Sequence, residues 1–271
     1  MTYKLSNHTF FVDRTVFTNI FPELKENQLR VYLLMCRVAG AKPNGECFMG
    51  INTIAKEVNL SEYHTRKAIE WLCNNYFIQK LKRSYQSNLY RILVTPDYDN
   101  VNKKYYSNES IFRNRFDMKD SLNGYVELPV EVMSGSILRD KTLWSDRKIR
   151  IFGQLYLFHW IDEFGGVDPD AIRIVNSSIY ISDLLSYTLG CSKNDIERSV
   201  KWFIKQGYAS EVETVYRINN NSFYKEQQFV GDATKINILP TDKVIKVIRM
   251  DCVPSLKLQN AIDRTGGKIA L

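Results

Sequence analysis

One amphipathic phrase occurs twice in this chain. Residues 59–72 read NLSEYHTRKAIEWL, and residues 190–203 read GCSKNDIERSVKWF. Aligning Ser61 with Ser192 brings Thr65 onto Ile196, Ile69 onto Val200, Trp71 onto Trp202, Leu72 onto Phe203 and Phe77 onto Tyr208. Positions 65, 69, 72 and 76 follow the spacing of one helix face. The second copy places Ile196, Val200 and Phe203 on that face, with Gly207 at the fourth position. Ser61 and Ser192 suit the helix N-cap, where a hydroxyl accepts from a free backbone N–H of the first turn. Asp195, three residues after Ser192, is expected to complete a capping box; His64 holds that place in the first copy.

The surroundings repeat as well. A shorter helical phrase precedes each copy: INTIAKEVN (Ile51–Asn59) and YISDLLSYTLG (Tyr180–Gly190). Runs of β-branched and aromatic residues around polar turns follow each copy, over 77–94 and 208–230, and read as hairpins. A longer apolar helix is expected before each, over 24–40 and 145–165, where QLRVY matches KIRIF. Helix, helix, helix, hairpin thus occurs twice, which predicts an α+β chain. The order resembles two tandem winged-helix domains, each a helix-turn-helix with a β-hairpin wing.

On this reading residues 1–98 form an N-terminal winged-helix domain, 99–123 a polar linker, 124–245 a C-terminal winged-helix domain and 246–271 a tail. Phe10–Phe21 is expected as a strand or extended arm on the first helix, 165–178 as a long loop, and Lys243–Met250 as a strand.

Other features narrow the function classes. The 44% hydrophobic content is that of a globular chain. No apolar run is long enough to cross a bilayer, and MTYKLSNHTFF lacks the apolar region of a signal peptide. A cytoplasmic protein with no membrane partner is expected. The five cysteines are scattered without a C-x-x-C, so buried thiols are favoured over metal or redox use. TGGK near the C-terminus lacks the spacing of a phosphate-binding loop, and the three histidines form no paired metal motif. We therefore expect no enzyme activity, no catalytic residues, no cofactor and no metal.

Charge is uneven. Residues 1–100 hold 13 Lys and Arg against 9 Asp and Glu, whereas 124–245 hold 14 against 16. Because DNA binders neutralise phosphates with Lys and Arg, bulk charge favours the first copy as a reader of double-stranded DNA.

In a helix-turn-helix the capped helix enters the major groove. Its outward residues in the first copy are Ser61, Glu62, Tyr63, His64, Arg66, Lys67 and Glu70. Arg66 suits a bidentate pair with guanine, and Lys67 suits a phosphate or guanine. Tyr63 and His64 offer hydrogen bonds or stacking. Glu62 and Glu70 oppose a purely electrostatic surface, and a solvated face is the competing use. The first hairpin adds Lys80, Lys82 and Arg83, then Ser84, Tyr85, Gln86, Ser87 and Asn88. Such a tip suits phosphates or a minor groove; an edge strand guarded by lysine is the competing use. The second copy offers Ser192, Lys193, Asn194, Arg198, Lys201 and Lys205, interleaved with Asp195 and Glu197. Phe158, Trp160 and Phe164 serve either the core, which is favoured, or a homodimer or interdomain contact.

FMGINTIAKEVNLSEYHTRKAIEWLCNNYFI resembles the winged-helix modules of replication and regulatory proteins from Gram-positive plasmids and phages. Two such domains over about residues 10–245 are similar to plasmid replication initiators that bind repeated origin sequences. The resemblance implies origin binding, dimerisation through one domain, recruitment of host replication proteins and no intrinsic catalysis. A transcriptional regulator of plasmid or phage genes, and a protein-interaction adaptor such as a helicase loader or partition protein, remain open.

Overall fold

The computed structural model describes residues 4–6, 9–40, 45–81, 88–93, 95–107, 124–130, 133, 136–161, 166–219, 226–232 and 237–254. The fold is mixed α+β. It divides into an N-terminal unit, His8–Gln154, and a C-terminal unit, Met1–Asn7 with Leu155–Leu271.

Strand β1 (Lys4–Ser6) is counted with the C-terminal unit. The N-terminal unit opens with β2 (Thr9–Asp13), a 3-10 turn (Arg14–Phe17) and α1 (Glu26–Ala39). Strand β3 (Glu46–Phe48), helices α2 (Ile51–Val58) and α3 (Glu62–Asn74), and strands β4 (Ile78–Leu81) and β5 (Leu89–Ile92) follow. The strands form an antiparallel sheet in the order β3-β5-β4. Leu29, Val31, Tyr32, Leu33, Leu34, Met35 and Cys36 are all buried, so α1 is covered on most of its circumference, as a central helix must be. Phe77, fully buried just before β4, meets the rings of Trp71, Phe21 and Tyr32.

The presumed linker begins inside this unit. Strands β6 (Asp97–Asp99) and β7 (Lys104–Tyr106) pair as a hairpin. Tyr105 is 7% exposed and packs against Trp71, Phe77, Phe21 and Tyr98. Residues 97–106 are therefore part of the fold, because one aromatic side chain closes the core beneath α3. Burial raises the Tyr105 phenol pKa well above its ordinary value.

Residues 124–154, expected to open the second domain, also join the N-terminal unit. Strand β8 (Tyr125–Pro129) pairs antiparallel with β2, Phe11 opposite Glu127. After it come α4 (Ser136–Arg139) and α5 (Asp146–Leu157), which runs past residue 154. Two arginines secure this segment. Arg30, fully buried on α1, donates to the carbonyls of Ile137 at 2.7 Å, Leu138 at 2.8 Å and Trp144. Arg150 on α5 donates to the carbonyls of Val16 at 2.6 Å, Thr18, Phe21 and Leu24. The match of QLRVY with KIRIF aligns these two arginines. Each collects the backbone carbonyls that lead into the other's helix. Those carbonyls lie outside regular ladders and need donors when buried, and a guanidinium supplies five. Burial lowers the Arg30 pKa, opposed by Glu26, Asp146 and Asp140. Gly153 on α5 lies so near Phe17 that a Cβ there would fall on the ring. Close approach explains a glycine inside a helix that it otherwise weakens.

In the C-terminal unit the helix expected over 145–165 stops at Leu157 and gives way to β9 (His159–Ile161). The presumed loop 165–178 holds β10 (Gly166–Val167) and β11 (Ile172–Val175), and β11 pairs with β12 (Ser178–Ile181) through a turn at Asn176 and Ser177, both at positive φ. Such a turn matches the strand twist of a two-residue hairpin. Helices α6 (Asp183–Leu189) and α7 (Lys193–Lys205) follow, so Tyr180 stands on a strand rather than in the helix. Then come β13 (Ala209–Asn219), β14 (Glu226–Asp232), β15 (Lys243–Met250) and β16 (Cys252–Pro254). Strand β15 is central: β13 lies on one side and β11 and β10 on the other. A boundary at residue 245 would cut it. The start of the presumed tail is thus sheet, and β16 pairs in parallel with β1. Among the described residues, no helix is long and apolar enough to cross a membrane.

Candidate nucleic-acid interface

The duplicated phrase folds twice into the same local geometry. Helix α2 ends at Asn59 in the left-handed region (φ 52°), and α6 ends at Gly190 (φ 60°). One residue later the Leu60 N–H donates to the Ala55 carbonyl at 2.9 Å, and the Cys191 N–H to Ser186 at 3.2 Å. These bonds take up carbonyls that a helix end leaves open. Ser61 Oγ then accepts from the His64 N–H, and Ser192 Oγ from the Asp195 N–H, both at 3.2 Å. Ser192 Oγ also donates to Asp195 Oδ2 at 2.8 Å, while Ser61 Oγ lies 2.9 Å from His64 Nδ1.

The helix exits match too. Phe77 N–H returns to Leu72 O, and Tyr208 N–H to Phe203 O, each at 2.9 Å. Trp71 stacks on Phe77 at 5.7 Å and 26°, and Trp202 on Tyr208 at 6.0 Å and 24°. Thr65, Ile69 and Leu72 are buried, as are Ile196, Val200 and Phe203. Position 76 departs from the expected face. Tyr76 is 41% exposed at φ 61°, and Gly207 has φ 74°, because both helices have already ended and this residue turns the chain back.

The outward faces differ. On α3, Ser61, Tyr63, His64, Arg66 and Lys67 are all exposed. Arg66 pairs with Glu62 at 3.2 Å and Lys67 with Glu70 at 3.0 Å. The four side chains are about equally exposed, at 64%, 51%, 60% and 58%. The face therefore presents both signs in balance. Its hydrogen bond to Glu70 raises the Lys67 pKa. The Tyr63 and His64 rings meet edge-on at 5.5 Å.

On α7, Lys193, Asn194, Arg198, Lys201 and Lys205 are exposed. Positions 194, 198, 201 and 205 share one helix face. Arg198 pairs with Asp195 and Lys201 with Glu197, both at 2.7 Å. Here the cations project, at 76% and 59% exposure, while the carboxylates are recessed at 24% and 29%. Helix α7 thus presents a positive stripe although its half of the chain is slightly acidic.

Beside the start of α7 stands a group absent from the sequence reading. The Arg173 guanidinium lies 4.2 Å over the Tyr180 ring, and Lys193 Nζ is 6.0 Å from the same ring. Arg173 and Tyr180 are directly paired across β11 and β12. The alternation in IRIVNSSIYI around a polar turn carried that signal.

In the first hairpin Lys80 is exposed on β4, and Asn88, half-buried, stands just before β5. Lys82, Arg83 and Tyr85 lie outside the described residues, as do the side chains of Trp160 and Phe164. Phe158 is half-buried. No family model matches the chain, and no curated protein matches it significantly.

Proposed function

We propose that the chain is a sequence-specific double-stranded DNA-binding protein whose two helix pairs, with the strands that follow, are winged helices, and that it acts as a plasmid or phage replication initiator at repeated origin sequences. The observation that carries this reading is the duplicated capped helix with an exposed polar face, at α3 and at α7. The positive stripe of α7 suits the phosphate backbone, which supplies most of the sequence-independent attraction. The balanced face of α3 suits selection: Arg66 must leave Glu62 to reach a base, and exchanging one exposed partner for another costs little, about 0–1 kcal/mol. Two readers in one chain suit a long or repeated target better than a single short operator.

One observation favours a second reading for α3. A face with cations and carboxylates in balance also fits a protein partner, such as a component of the host replication machinery.

The test is footprinting and salt-dependent binding of the full chain on DNA of its own replicon. Protection of repeated sites at an origin, with affinity falling steeply as salt rises, is the expected outcome. Protection confined to one promoter would make the chain a regulator. No duplex binding at modest salt would leave the protein-adaptor reading.

A further inference from the structure

We propose that Arg173, Tyr180 and Lys193 form a dedicated site for one backbone phosphate of duplex DNA, flanking the α7 stripe. The inference rests on the DNA-binding reading and adds Arg173 and Tyr180 of the β11–β12 hairpin to Lys193 of the helix.

The hairpin β11–β12 sets Arg173 directly opposite Tyr180. The guanidinium carbon of Arg173 sits 4.2 Å over the Tyr180 ring, and one of its nitrogens donates to the Pro169 carbonyl at 3.1 Å. A guanidinium has five N–H donors, so an arginine set over a ring with one nitrogen engaged still offers others to a ligand. Lys193 brings a second cation to the same ring, and the phenol of Tyr180, 41% exposed, adds a hydroxyl donor. Two cations and a hydroxyl around one aromatic plate suit a tetrahedral oxyanion.

The present counterions are poorly held. Asp183 sits 2.8 Å from Lys193 but its side chain is 96% exposed, and Asp170 sits 4.0 Å from Arg173 at 88% exposure. Carboxylates so open to water are released at small cost. Duplex phosphate is favoured over a free anion by what lies next along α7: Asn194, Arg198, Lys201 and Lys205 continue the polar and cationic surface on one helix face. A lone metabolite anion needs no such extension.

The experiment measures binding of the full chain to native replicon DNA and to a mixed-sequence duplex across a salt series. Arg173→Gln is expected to weaken both duplexes equally, by about eightfold near 0.1 M salt, and to lower the salt slope by about 0.9, the value for one phosphate contact. Asp183→Asn, a change at an almost fully exposed position, should strengthen binding of both and so tests the site without risk to the hairpin. If the parent binds DNA while both variants match it in affinity and slope, the phosphate site is overturned and the DNA reading stands. If the parent binds neither duplex, both fall. Loss of native-site preference at an unchanged slope would make Arg173 a base reader and overturn the proposal. So would equal displacement of DNA from parent and Arg173→Gln by inorganic phosphate at fixed ionic strength, since it would place the anion elsewhere.

Discussion

Helices α3 and α7 have the same frame and opposite surfaces. Both begin at a serine cap, bury four residues at the same spacing and carry a tryptophan stacked on the aromatic residue that follows the turn. Yet α3 exposes its carboxylates as fully as its cations, whereas α7 recesses them. Bulk charge points the other way, toward the first copy. The field a polyanion meets is set by which groups project, not by the total over a domain.

The frame itself can be broken unequally. Phe77 is fully buried among Trp71, Phe21, Tyr32 and Tyr105, while Tyr208 is half-buried against Trp202. Phe77→Ala should cost about 3–5 kcal/mol in urea unfolding, as for a large aromatic removed from a packed core. Tyr208→Ala should cost about 1–2 kcal/mol, in proportion to its smaller burial. Equal losses would mean that the C-terminal unit leans on its repeat as heavily as the N-terminal unit does.

The surfaces can be compared by replacing Arg198, Lys201 and Lys205 together with Gln. If each meets a phosphate, duplex affinity should fall about 10²–10³-fold near 0.1 M salt and the slope by about three units. Arg66→Gln with Lys67→Gln should cost about tenfold in affinity for native DNA and little for mixed sequence, the pattern of a lost base contact. A larger general loss from the α3 pair would reverse the proposed division of labour.

The helices were legible because apolar spacing and capping serines are local properties. The partner of a segment is not local. Nothing in YVELPVEVM shows that its strand pairs with β2, and hydropathy places an arginine such as Arg30 outside, since it is silent about carbonyls waiting in distant loops. Tyr105 was hidden in a polar stretch because one buried ring hardly changes a window average. The candidate faces followed from periodicity, so the exposure of Arg66, Lys67, Arg198 and Lys201 was readable. The recession of Asp195 and Glu197 was not, because it depends on side-chain packing. Arg173 and Tyr180 meet only through the β11–β12 pairing, which a window over 165–178 read as loop and a helical phrase beginning at Tyr180 does not contain.

The finest difference between the two copies is the residue that turns the chain after the helix. Gly207 takes φ 74° with nothing within 4 Å of where a Cβ would stand, while Tyr76 takes φ 61° with a side chain. Gly207→Ala therefore meets no clash: the left-handed backbone penalty, about 1–2 kcal/mol, is offset in part by the freedom the unfolded chain loses, leaving a net cost of about 0.5–1 kcal/mol. Tyr76→Gly relieves that same penalty but gives the unfolded chain more freedom. The same balance runs in reverse here, so the change should stabilise by about 0.5–1 kcal/mol if the ring makes no contact that matters. If Tyr76→Gly instead costs as much as Gly207→Ala, the half-exposed ring supplies contacts that glycine cannot. The two turns would then share a backbone but not an energetic basis.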